Sequence, residues 1–297
     1  VLKAATQTPL TSMRILELFY VEGKFPKGIV NLVTCGRKEA EVLLTDPRVK
    51  AVTFVGTTQV GKHIYSIASE HGKRVQAQCE AKNHALVLED CDLESTTNAI
   101  INSTYGCAGM RCMALPVVVV QESIADEFVK MLKEKAQKLT VGCAYDPATK
   151  LGPVVSAAHQ KRVCDWIQKG VDEGAQLVLD GRGIKVPGYE NGFFVGPTIF
   201  DRVKPGMSVG DCEIFGPVTL VKRVKDFDEG LALMNANPFA NGSVIFTQSG
   251  YYARKFSFLT DGGMVGINVG IPVPSAYFPF SGNKDPFFGD LHVLGKD

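Results

Sequence analysis

The sequence predicts an α/β fold with mostly parallel sheets. Short apolar, β-branched runs such as Val117–Gln121 and Val218–Val224 alternate with longer segments of helical period. Phe54-Val55-Gly56-Thr57-Thr58-Gln59-Val60-Gly61 reads as a strand that turns on glycine and opens a helix. No internal repeat and no low-complexity linker interrupts the alternation.

In chain order, Thr8-Pro9 supplies an N-cap and a first helical residue, and Met13, Leu16, Phe19 and Tyr20 follow at helical spacing. Gly23, Pro26 and Gly28 end that helix. Ile29–Val33 reads as a strand, Glu39–Leu44 as a short helix closed by Asp46-Pro47, and Val49–Val55 as the next strand. The helix after Gly56 carries Val60, Ile64 and Ile67 on one face. Further strands are expected at Ala85–Leu88, Val117–Gln121, Gln176–Leu179, Val218–Val224, Ser243–Thr247 and Met264–Asn268. Helices are expected at Leu93–Thr104, Ile124–Ala136, Ala157–Val171, Phe227–Ala236 and Tyr251–Leu259. The block boundary falls near Gln78 to Lys82, which divides the chain into residues 1–80 and 81–297.

At 297 residues and 45% apolar content the chain is long enough for two packed domains. A net charge of +1, from 32 basic and 31 acidic residues, gives no basic stripe for nucleic acid and no acidic tail. Apolar runs such as Leu115–Val120 are too short to span a bilayer, so neither a nucleic acid nor a membrane is expected as a partner. None of the eight cysteines forms a Cys-x-x-Cys pair, and the five histidines do not stand at ligand spacing beside them, so no metal site is expected. Scattered cysteines in a chain this large fit a reducing compartment. Val1-Leu2-Lys3 is not a signal peptide and lacks an initiator methionine, as if the chain begins within a domain.

Chemistry concentrates in Gly109-Met110-Arg111-Cys112-Met113-Ala114. A thiolate is a strong nucleophile when its charge is stabilised, and a guanidinium neighbour lowers a cysteine pKa from about 8.5. Cys112 beside Arg111 points to acyl chemistry, although taken alone the pair is better read as a small core cysteine, and the rest of the chain decides between them. At Gly56 and Thr57 a tight turn and free N–H groups at a helix start suit a phosphate, with Thr57 or Thr58 as the cap. The pattern is neither Gly-x-Gly-x-x-Gly nor a Walker loop. In Glu213-Ile214-Phe215-Gly216-Pro217-Val218, the carboxylate suits sugar hydroxyls and Phe215 offers a face to a planar ring.

Taken in order, these segments resemble the aldehyde dehydrogenase superfamily from Lys3 and Gln7-Thr8-Pro9 to Pro279-Phe280-Ser281-Gly282. Lys73-Arg74-Val75-Gln76-Ala77, Ala81-Lys82-Asn83-His84, Arg111-Cys112-Met113-Ala114, Gly188-Tyr189-Glu190-Asn191-Gly192 and Gly289-Asp290-Leu291-His292 are similar to its CoA-acylating, methylmalonate-semialdehyde branch. The resemblance implies an incomplete aldehyde dehydrogenase fold. Residues 1–80 would be the C-terminal part of a Rossmann-like NAD-binding domain, and residues 81–297 the catalytic α/β domain. It implies NAD as cofactor, coenzyme A as co-substrate, and malonate or methylmalonate semialdehyde oxidised to acetyl-CoA or propionyl-CoA, as in valine or inositol catabolism. Cys112 would attack the aldehyde and carry the thioester, with its own N–H helping to hold the oxyanion. Arg111 would bind the substrate carboxylate. Lys3 and Glu213 would hold ribose hydroxyls, Gly56 and Thr57 would receive the pyrophosphate, and Phe215 would pack on the nicotinamide ribose and ring.

Several positions depart from the family pattern. Gln78 replaces the glutamate that activates water in hydrolytic members, so a CoA thiol should take the acyl group. Glu80 stands where a glycine is usual and is expected to be a surface charge; its alternative is a relocated base. Thr6 replaces the glutamate of many NAD-using members, which leaves NAD against NADP open. The family's N-terminal asparagine and second substrate arginine, and its C-terminal oligomer segment, are outside the sequence, so the chain as written is expected to be a fragment or a truncated form. A homodimer or homotetramer is implied at full length, in the mitochondrial matrix if eukaryotic and in the cytoplasm if bacterial. Two further readings stay open: a hydrolytic dehydrogenase giving the free acid, and a truncated, non-catalytic binder of a nucleotide or partner.

Overall fold

A computed structural model describes residues 1–295. From the N-terminus run β1 (Leu2–Lys3), α1 (Pro9–Val21), β2 (Leu32–Val33), α2 (Arg37–Ala40), α3 (Val42–Thr45), β3 (Ala51–Val55), α4 (Thr58–Glu70) and β4 (Arg74–Gln78). Strand β1 pairs with β2, and β3 with β4 through the α4 crossover, both in parallel. Helix α4 lies close on β4 because Gly61 has no side chain: a Cβ there would come within 2.2 Å of Cys79 Sγ. Ile64 and Ile67 pack with Leu44, Ala68 and Val75 in a small core, as their spacing predicts.

Local expectations fail here where no partner sustains them. The predicted strand Ile29–Val33 narrows to Leu32–Val33, since β1 offers only Leu2 and Lys3 to pair with. The predicted helix Glu39–Leu44 becomes α2 and α3, interrupted by 3-10-type bonds from Glu41 N to Lys38 O and from Leu44 N to Glu41 O. Helix α1 begins at Pro9 as expected, but the Thr8 side chain makes no cap bond and the helix buries none of its residues.

The second block runs β5 (His84–Val87), α5 (Leu93–Tyr105), a 3-10 turn (Gly106–Gly109), β6 (Val117–Gln121), α6 (Glu122–Gln137), α7 (Ala157–Asp172), β7 (Gln176–Leu179), β8 (Thr198–Asp201), α8 (Ser208–Asp211) and β9 (Val218–Val224). There follow α9 (Phe227–Asn235), β10 (Phe239–Ala240), β11 (Gly242–Phe246), α10 (Gly250–Leu259), β12 (Met264–Ile267), β13 (Asn283–Lys284) and β14 (Phe287–Phe288). Seven strands form one sheet in the order β12-β11-β5-β6-β9-β8-β7, parallel throughout except for β7 against β8. Val117 to Val120 are fully buried, as both-face burial in a parallel sheet requires. Tyr105 ties α5 to this sheet: its hydroxyl donates to Thr198 O (3.1 Å) and accepts from Thr219 Oγ1 (2.8 Å). Strand β13 pairs with β10, and β14 returns to the first sheet, antiparallel to β4.

This topology positions the site. Strands β11, β5, β6 and β9 are parallel neighbours, so the segments entering them lie side by side on one edge. Those segments are Gly242, residues 79–83, residues 110–116 and residues 212–217. Residues 79–83 also lead straight out of β4, so the exit end of the smaller sheet meets the entry edge of the larger one.

Candidate active site

The segment that carries Cys112 leaves α5 through three left-handed residues: Cys107 (φ 51°), Ala108 (φ 54°) and Gly109 (φ 71°). A non-glycine residue in that region costs on the order of 1–3 kcal/mol, so neighbouring contacts must hold the turn. At Gly109 a Cβ would meet Gly216 O at 2.1 Å, which means that the cysteine turn and the Glu213–Val218 motif touch backbone to backbone. Downstream, Thr104 Oγ1 donates to Leu115 O (2.8 Å), and Leu115 N donates to Ser103 Oγ (3.0 Å). Asn83, almost fully buried, joins three segments: its Nδ2 donates to Cys112 O and Ala114 O (both 2.8 Å), and its Oδ1 accepts from Gly242 N (2.8 Å).

Cys112, Arg111, Glu213 and Phe215 line one cleft with Ala81 and Gly216, a space of about 320 Å³ including its open mouth. Arg111 does not act on the thiol as its sequence position suggests. Its guanidinium lies over Gly106, and its Nε donates to Cys107 Sγ at 3.2 Å. Burial, and then the nearby Glu213 charge, push the Cys112 thiol up from its ordinary pKa; the backbone N–H groups of Cys112 and Met113 act the other way. The expected lowering by Arg111 is therefore absent.

Glu213 accepts a hydrogen bond from Ala81 N at 3.0 Å. Burial is the main reason that its carboxyl is pushed up to about 7; the Ala81 bond and Lys82 oppose this, and the Glu80 charge adds to it. Phe215 sits at φ 58°, held by a hydrogen bond between its carbonyl and His159 Nε2 (2.7 Å), with the two rings edge to face at 6.3 Å. Lys82, 1% exposed, donates to Val209 O (3.0 Å) and Cys212 O (2.6 Å), and so braces the turn that presents Glu213. Burial, reinforced by the Lys222 charge, pushes the Lys82 ammonium down to about 7.

Gly56 and Thr57 stand at the turn into α4 and do not line this cleft; the link to it is Glu80, next to Ala81. Gly56 leaves room for the Phe54 ring, which a Cβ would meet at 2.4 Å. Thr57 takes the N-cap position by its backbone, without a side-chain cap bond; the sequence expectation of a threonine cap is thus corrected. The acceptor there is Glu80, whose Oε2 receives Thr58 N at 3.0 Å. Glu80 is therefore not the free surface charge that its position suggested. Gln78 is buried, and its Nε2 donates to Phe280 O at 2.9 Å. Lys3 ends β1, with its Nζ on Ala4 O at 3.0 Å, and does not line the cleft.

Sequence reasoning did not find Asn83, Lys82 and His159 as site residues. Asn83 and Lys82 lie in the Ala81-Lys82-Asn83-His84 segment, which marked a resemblance without disclosing a task; His159 had no signal, since it acts on a carbonyl of a distant segment.

Parallel-sheet architecture and a thiol beside a half-buried carboxylate agree with a sequence match. The chain belongs to the aldehyde dehydrogenase family, whose model matches residues 1–296. Over all 297 residues it is 48% identical to malonate-semialdehyde dehydrogenase 1 of Oceanobacillus iheyensis and 46% identical to malonate-semialdehyde dehydrogenase of Bacillus cytotoxicus, covering 61% of each. Methylmalonate-semialdehyde dehydrogenase of Oceanimonas doudoroffii has the same fold (TM-score 0.96, 43% identity), with 99% of this chain matched to 60% of that one. A Sinorhizobium meliloti relative crystallised with NAD matches equally well (TM-score 0.96, 40% identity, 99% and 60% covered). The chain thus spans about 60% of the length of these relatives.

Proposed function

We propose that this chain carries the nucleophile and part of the cofactor cleft of an NAD-dependent, CoA-acylating malonate or methylmalonate semialdehyde dehydrogenase. The observation that carries the reading is the contact of Gly109 with Gly216, which puts Cys112 and Glu213 into one cleft. Residues 1–80 are assigned to the cofactor domain and residues 81–297 to the nucleophile domain; the division follows the change of sheet between β4 and β5.

The residues present fit NAD. Glu213 offers a carboxylate to ribose hydroxyls, Phe215 an aromatic face, and the Gly56–Thr57 turn a helix N-terminus for the pyrophosphate. When bound, NAD supplies the acceptor for the hydride that leaves the aldehyde carbon. Cys112 Sγ forms the bond to that carbon, and its own N–H stabilises the oxyanion. Loss of the hydride leaves a thioester on Cys112. Arg111, free of the thiol, is the cation for the substrate's carboxylate. Attack by the CoA thiol releases the acyl group and restores Cys112, with carbon dioxide lost from the malonyl unit. Gln78 supports CoA over water: an amide engaged with Phe280 O takes no proton from a nucleophile.

The test is to supply malonate semialdehyde, NAD and CoA to the purified protein and to follow NADH and acetyl-CoA. Cys112→Ala should lower both by at least about a thousandfold. Retained turnover in that variant would overturn the reading. Free acid formed at an undiminished rate without CoA would replace it by the hydrolytic one, with Glu80 the acid to examine.

A further inference from the structure

Glu80, next to the cleft residue Ala81, is an acid that the proposed reaction leaves without a task. It lies between Gln78, which is tied to Phe280, and Ala81, whose N–H holds Glu213. Its carboxylate turns back from the end of β4 to the crossover helix of the same small sheet and takes the first N–H of α4 at 3.0 Å. That helix has 13 residues, with its partial positive charge at this end. The N-cap residue Thr57 leaves the end uncapped by its own side chain, and the buried Thr58 Oγ1 has no hydrogen-bond partner. Glu80 therefore supplies the anion that this helix end attracts. Behind burial, its charge also adds to what opposes ionisation of the buried Cys79 and of Glu213 in the cleft.

We propose that Glu80 is an internal anion that competes with the cofactor's pyrophosphate for the N-terminus of α4, and so sets how weakly this chain holds NAD. The inference rests on the placement of the pyrophosphate at Gly56 and Thr57 given above. An N–H that already donates to a carboxylate oxygen is not available to a phosphate oxygen, and two anions brought to one helix end repel each other. NAD must therefore displace the Glu80 side chain before it binds, which lowers its apparent affinity by the population of the displaced state.

Calorimetric titration of the 297-residue chain with NAD tests this in three forms: unchanged, Glu80→Gln and Glu80→Gly. Glu80→Gln keeps an oxygen for Thr58 N but removes the charge; Glu80→Gly removes both. Glu80→Gly should bind NAD about tenfold tighter or more, the scale of relieving one like-charge contact, and Glu80→Gln should fall between the two. Inorganic pyrophosphate should follow the same order, while adenosine, which lacks phosphate, should bind all three alike. A mere helix cap predicts lower thermal stability in Glu80→Gly with no gain in NAD affinity, and that result would overturn the proposal. Equal NAD affinity in all three forms would overturn it while leaving the cofactor assignment standing. Absence of NAD binding to every form would overturn both.

Discussion

Cys112 carries a thiol whose ionisation the fold disfavours. Burial and then Glu213 disfavour its thiolate, Arg111 is turned toward Cys107, and only the backbone N–H groups of Cys112 and Met113 act the other way among the described residues. Its alkylation by iodoacetamide should therefore be slow at neutral pH and should rise with an inflection above the ordinary thiol value of about 8.5. Glu213→Gln removes the carboxylate charge that opposes the thiolate, so the inflection should move to lower pH. Peptide-resolved mass spectrometry across pH 6–10 measures this, with exposed Cys107 as the internal reference. An inflection at or below the ordinary value in the unchanged protein would contradict the account of burial, and no movement in Glu213→Gln would contradict the role of its charge.

At the scale of elements, the site is a set of strand entrances clamped together. Asn83 joins the entrance of β5 to those of β6 and β11. Asn83→Ala leaves the Gly242 N–H and two carbonyls without their partner in a buried place. It should therefore destabilise the protein by about 2–4 kcal/mol, on the scale of one or two unsatisfied buried groups. Denaturant unfolding measures the loss; a change below about 0.5 kcal/mol would mean that the clamp is not under load. The same elements show what was legible beforehand. Strands β5, β6, β9 and β11 lie among parallel neighbours and are largely buried, so they read as mainly apolar runs, unbroken in Ala85–Leu88 and Val117–Val120. Strands β4 and β8 did not stand out, because they bury Gln76, Gln78, Thr198 and Asp201 among their apolar residues. Several of those polar groups find partners far along the chain, such as Phe280 for Gln78 and Arg223 for Asp201 (2.6 Å), and so leave no period in the local sequence. Cys112, Arg111, Glu213 and Phe215 were legible because their motifs are compact. Asn83, Lys82 and His159 were not, since each acts on a backbone carbonyl of another segment.

Across the whole molecule, a half-buried acid lining the cleft and a buried lysine beside it oppose each other in their effect on stability. Glu213 has a folded pKa of about 7 against an ordinary 4.5, so between those values the folded protein holds a proton that the unfolded chain has lost. Stability from this group is full below 4.5 and is lost as pH rises to 7, with a slope of at most about 1.4 kcal/mol per pH unit. Lys82 has a folded pKa of about 7 against an ordinary 10.5, so between those values it is the unfolded chain that holds the extra proton. Stability from Lys82 therefore rises with pH from 7 to 10.5, and the pair together is least favourable near neutrality. Urea unfolding of the unchanged protein, Glu213→Gln and Lys82→Met at about pH 5, 7 and 9 separates the two contributions. Relative to the unchanged protein, Glu213→Gln should gain stability from pH 5 to 7 and then level off, whereas the balance for Lys82→Met should shift toward loss from pH 7 to 9. Lys82→Met also gives up the two carbonyls that it braces, so its absolute stability is expected to fall at every pH; the slope carries the argument. Differences that do not vary with pH would show that neither group changes its proton count on folding. The turn that presents Glu213 would then be held by hydrogen bonds alone.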